Sequence, residues 1–105
     1  MSVTIAVQLD TVESLAAELA ALAAELEGDA GLCRSTAPSL GTAVSGHAGE
    51  RAEAAGVGWG TVDELIARET SALATALAAA VASYRLADAA LSDRLLALGT
   101  VPGPR

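Results

Sequence analysis

Large apolar residues recur near the start of the chain at Val12, Leu15, Leu19, Leu22 and Leu26, spaced 3, 4, 3 and 4 residues apart. This is the heptad spacing of an amphipathic helix, with Ala and Glu (Glu18, Glu25) at intervening positions. Ahead of it, Val3, Ile5, Val7 and Leu9 alternate with smaller or polar residues, which predicts a short extended arm over 1–9. Asp10-Thr11-Val12-Glu13 reads as a capping box, with Asp10 as N-cap and Glu13 as its reciprocal acceptor. Helix one is therefore predicted over 10–44. The seam persists through Ala30, Cys33, Ala37, Leu40 and Val44, but it is weakened after 27. Gly28 and Gly31 each cost roughly 1 kcal/mol of helix stability, and Pro38 is expected to interrupt or kink the helix near Ala37.

Residues 45–60 read as a Gly-rich connector, carrying Gly46, Gly49, Gly56, Gly58 and Gly60 among small and charged residues. Thr61-Val62-Asp63-Glu64 is a second capping box. Beyond it Val62, Ile66, Leu73, Leu77, Tyr84, Leu91, Leu95 and Leu98 follow a helical stripe to Gly99, a natural C-cap. Helix two is predicted over 61–98, on the order of 57 Å at 1.5 Å per residue. Residues 99–105, with Pro102 and Pro104, form a tail. Helix two exceeds the part of helix one ahead of Gly28, so helix one must continue past it or a partner must cover the overhang. The chain reads as a single all-α domain over 1–105, an antiparallel helical hairpin expected to pair into a four-helix bundle.

Composition explains why pairing is expected. About a quarter of the 105 residues are alanine, which favours helix but fills a core poorly. The large apolar side chains are 15 Leu, 8 Val, 2 Ile, one Met, one Trp and one Tyr. Burying one contributes roughly 1.5–3 kcal/mol, against on the order of 100–200 kcal/mol of conformational entropy for a chain this long. A lone hairpin of this kind is marginal, and its Leu stripes call for a covering partner. The pairing seam is assigned to Leu15, Leu19, Leu22 and Leu26 of helix one and to Ile66, Leu73, Leu77, Leu91 and Leu95 of helix two.

The formal net charge is −7, and all six basic residues are arginine. Without a basic stripe the chain is a poor match for nucleic acid or an anionic membrane face. The longest charge-free run, 70–84, is 15 residues, shorter than a spanning helix, so no stable membrane insertion is expected. The N-terminus lacks the basic and apolar regions of a secretory signal peptide. One Cys and one His leave no basis for an internal disulfide, a metal constellation or a catalytic triad. No enzyme activity, cofactor or metal is expected.

Few residues carry chemistry. Tyr84 and Asp88 stand four apart, one turn of helix, on one face. Trp59, in Gly58-Trp59-Gly60 before the second capping box, is expected to pack the hairpin turn or to meet a partner. Cys33 reads as a small apolar seam residue, and His47 as an exposed residue of the connector.

Taken together, the chain resembles the EspC-like family of actinobacterial type VII (ESX) secretion-associated proteins, related to the WXG-type helical-hairpin substrates. The likeness runs nearly full length. Thr4-Ile5-Ala6-Val7-Gln8-Leu9 leads into a Leu/Ala helix and a Gly-rich centre. The second helix ends in Ser83-Tyr84-Arg85-Leu86-Ala87-Asp88-Ala89-Ala90-Leu91, where the family shows Tyr-x-x-x-Asp. The resemblance implies that Tyr84 and Asp88 form part of an export signal read by the secretion ATPase, often on a paired substrate. It implies a protein that is cytoplasmic before export, then secreted or held at the cell surface by a signal-peptide-independent route. Its partner would be itself or another helical hairpin. Trp59 departs from the WXG pattern, because Gly60 follows it directly and Thr61 stands where Trp-x-Gly requires glycine. The alternative function is a cytosolic helical adaptor or chaperone for a larger secreted protein.

Overall fold

In a computed structural model describing residues 3–100, the chain forms two α-helices, α1 (Val3–Ala43) and α2 (Gly46–Thr100). They pack antiparallel as a hairpin. Asp10 near the start of α1 meets Arg85 of α2, and Arg34 further along α1 meets Glu64. Val44 and Ser45 make the whole link. The Val44 amide still donates to the Leu40 carbonyl at 3.1 Å, and Gly46 then turns the chain with φ of 74°. Glycine suits that left-handed position because it carries no Cβ to clash.

The hairpin is a rod of 94 × 16 × 13 Å with a radius of gyration of 24.6 Å. A compact domain of this length would have a radius near 13 Å. The interior is a single seam of very small residues. Ala16, Ala23, Ala30 and Ala37, seven residues apart, are the buried side chains of α1. On α2 the buried positions include Gly60, Ala67, Ala74 and Val81, again seven apart. Leu9, Val12, Leu19, Leu26 and Cys33 of α1, with Thr70 and Leu77 of α2, lie half-buried along the same line. Small residues at the contact let two helices approach closely, since interaxial distance is set by the side chains between them.

That close approach accounts for most differences from the sequence expectations. The predicted extended arm is helical from Val3, because Leu9 continues the heptad line of Val12 and Ala16 onto α2. Asp10 and Glu13 are therefore inside α1 and not at its cap; both pair with Arg85. Gly28, Gly31 and Pro38 all lie within α1. A proline in a helix interior costs about 3 kcal/mol, yet its neighbour Ala37 is fully buried against α2 and the packing holds the helix together.

The predicted connector over 45–60 is also helical, and only Val44 and Ser45 serve as linker. A Cβ on Gly56 would lie 3.1 Å from the Ala37 Cβ, and one on Gly60 would lie 3.2 Å from the Ala30 carbonyl oxygen. These two glycines are contact points between helices and not a loop. The second capping box is likewise mid-helix. Thr61 Oγ1 donates to the Val57 carbonyl at 3.1 Å, and Glu64 pairs with Arg34 and Arg68. Gly99 falls inside α2, and 101–105 of the predicted tail lie outside the described residues.

Candidate partner-binding face

The seam divides each helix into two flanks. Residues three after a seam position fall on one side, and those four after it fall on the other. Two of the ion pairs between helices, Arg34–Glu64 and Arg85–Glu13, follow the second rule. Glu13, Arg34, Glu64 and Arg85 stand four after Leu9, Ala30, Gly60 and Val81. The first flank is apolar. Val12, Leu19 and Leu26 stand three after seam positions on α1, as do Leu77, Tyr84 and Leu91 on α2. Residues just before the seam widen this flank outward: Leu15 and Leu22 on α1, and Trp59, Ile66 and Leu73 on α2.

The hairpin is therefore two-faced, with clamps of opposite charge on one broad side and Leu, Ile, Trp and Tyr on the other. Of the residues assigned to pairing, Leu19, Leu26 and Leu77 are half-buried between the helices, while Leu15, Leu22, Ile66, Leu73 and Leu91 are exposed on the apolar side. Leu95 occupies a seam position on the last two turns of α2 and is 60% exposed. The exposed stripe was legible as Leu spacing. Of the line inside the hairpin, the spacing marks Ala30, Cys33 and Ala37, whereas Ala16, Ala23, Gly60, Ala67 and Ala74 give too weak a hydrophobic signal to stand out.

Tyr84 sits on the apolar flank and is 67% exposed. With Asp88, Ala87 and Leu91 of α2 and Ile5 and Leu9 of α1, it lines a shallow cleft of about 390 Å³ near the open end of the rod. The expected pair is thus brought to one place, and α1 residues that sequence reasoning assigned to an extended arm join it. Trp59 is 66% exposed in the body of α2, beside Ala55, Gly58 and Val62, and does not plug the turn. Gly60 is buried against α1 instead.

The remaining polar groups do not converge. Cys33 is half-buried with its Sγ 3.9 Å from Asp63 Oδ2. His47 lies in the first turn of α2, its Nδ1 3.4 Å from Glu50 Oε2, with both side chains exposed. No group of three or more His, Cys, Asp or Glu side chains among the described residues is placed to hold a metal ion. α2 also contains an 18-residue window of mean hydropathy 1.4, long and apolar enough by length and composition to cross a bilayer, of which 17% is buried in the hairpin.

No family model, curated protein or solved structure matches the chain.

Proposed function

We propose that this chain is a non-enzymatic substrate or associated protein of a type VII secretion system. It pairs through its apolar face with a second helical hairpin and presents Tyr84 and Asp88 as an export signal to the system's ATPase. The observation that carries this reading is the placement of Tyr84, exposed one turn from Asp88 on the same side of the rod as the exposed leucines. Asp88 is half-buried on the seam line and lines the same cleft, and an exposed phenol at the edge of an apolar face can anchor a receptor there.

The surface area supports a covering partner. The accessible surface is 7562 Å² for 10.3 kDa, whereas a compact monomer of that mass exposes about 5,400 Å². The difference, about 2,200 Å², is the size of a substantial protein interface. Pairing two hairpins across these faces makes a four-helix bundle with the leucines inside and the alanine seams within each hairpin. The chain would wait in the cytoplasm before export and then act outside the cell or on its surface.

The test is export from a host with a functional type VII system, comparing culture filtrate for wild type, Tyr84→Ala and Asp88→Ala. Loss of export with unchanged cellular levels is expected, and undiminished export of both variants would sink the signal assignment. The exposed face equally suits a cytosolic adaptor for a larger secreted protein. In that case the wild type stays in the cell fraction while co-purifying with its client.

A further inference from the structure

We infer that Arg85, which lies within the Tyr84–Asp88 stretch, is a positioning residue for export. It holds the start of α1 against Tyr84, so that the recognised surface is a two-helix cleft and not a linear segment of α2. The inference rests on the export reading above.

Tyr84 and Arg85 stand three and four residues after the seam residue Val81, so they reach past α1 on opposite flanks. On Tyr84's flank, Ile5 and Leu9 complete the cleft. On the other, Arg85 Nη2 donates to Asp10 Oδ1 at 2.6 Å and lies 2.8 Å from Glu13 Oε2. One guanidinium therefore ties two consecutive turns of α1 to α2 behind the cleft. This segment needs tying. Val3, Thr4, Ile5 and Val7 are weak helix formers, and the first turn of α1 carries no acidic residue to offset its exposed amides. Helix ends open at little free-energy cost unless tertiary contacts hold them. If the first turns of α1 fray, Ile5 and Leu9 leave Tyr84 while α2 stays intact.

The experiment uses the full chain in five forms: wild type, Tyr84→Ala, Arg85→Lys, Arg85→Glu, and Arg85→Glu combined with Asp10→Arg and Glu13→Arg. Export is read from culture filtrate, and amide hydrogen exchange of residues 3–13 is read on the purified proteins. Arg85→Glu is expected to speed exchange of 3–13 by about fivefold or more, leaving 19–37 unchanged, and to cut export to a similar degree. Arg85→Lys should stay near wild type, and the charge-swapped triple variant should recover both readouts. Wild-type export of Arg85→Glu overturns the proposal. So does an export defect with unchanged exchange, or recovered exchange without recovered export, since either would mean Arg85 itself is read. If Tyr84→Ala is exported normally, the export reading fails, while the exchange data still show whether Arg85 holds α1.

Discussion

Gly60 and Ala30 meet so closely across the hairpin that a Cβ on Gly60 would stand 3.2 Å from the Ala30 carbonyl oxygen and 3.0 Å from Arg34 Cγ. The carbonyl belongs to a helix backbone and cannot swing aside as a side-chain tip can. Gly60→Ala should therefore force α1 and α2 apart locally, and a cost of about 1–3 kcal/mol is expected despite alanine's higher helix propensity. Gly28→Ala and Gly31→Ala should do the reverse. A Cβ at either position meets nothing within 4 Å, so each should add about 0.5–1 kcal/mol. Thermal unfolding by circular dichroism at one fixed protein concentration checks both signs. Stabilisation by Gly60→Ala would contradict the close approach.

Pro38 supplies a second contrast. It lies inside α1 with no amide to donate, one residue after the fully buried Ala37. Pro38→Ala should restore a helical hydrogen bond and raise stability by about 1–3 kcal/mol. Ala37→Leu should lower it by about 1–3 kcal/mol, because a larger side chain cannot enter the seam without separating the helices. Denaturant midpoints of the two variants should move in opposite directions.

The leucines should divide by location. Leu19→Ala and Leu77→Ala, at half-buried positions, should cost the hairpin about 1–2 kcal/mol, below the 2–5 expected for full burial. Leu15→Ala and Leu22→Ala, at exposed positions, should leave helicity intact and weaken association instead. Light scattering on the quadruple variant Leu15→Ala, Leu22→Ala, Ile66→Ala, Leu73→Ala should give a smaller mass than the wild-type assembly. A wild type that is a stable monomer, alone and with its co-encoded neighbours, would refute the pairing argument.

Trp59 offers a direct optical report, since it is the only tryptophan and is largely exposed. Its emission should be red and readily quenched by iodide in the isolated hairpin. Burial in a partner interface should shift it to the blue and protect it. An emission that stays red on pairing would place Trp59 outside the interface. Flotation with neutral and anionic vesicles separates pairing from membrane insertion of the apolar stretch of α2, and recovery in the protein-only fraction is expected.

The sequence by itself determined the all-helical class, the antiparallel hairpin and the Leu stripe, because 3–4 spacing in an Ala-rich chain admits little else. It also placed Tyr84 and Asp88 on one helical face. What it misjudged were the helix ends and the purpose of the glycines. Asp10, Glu13, Thr61 and Glu64 have the residue types of capping boxes, yet all four lie mid-helix, where three of them form ion pairs between or along the helices. Gly56 and Gly60 have the composition of a loop, yet they mark where α2 touches α1. Local propensity cannot distinguish a glycine that ends a helix from one that admits a neighbour, since the difference lies in what stands opposite it. Only the tertiary structure supplies that neighbour, and with it the choice of the alanine line as the inner seam. Small residues gain most by bringing two backbones together, which leaves Leu15, Leu22, Ile66 and Leu73 exposed on the apolar side.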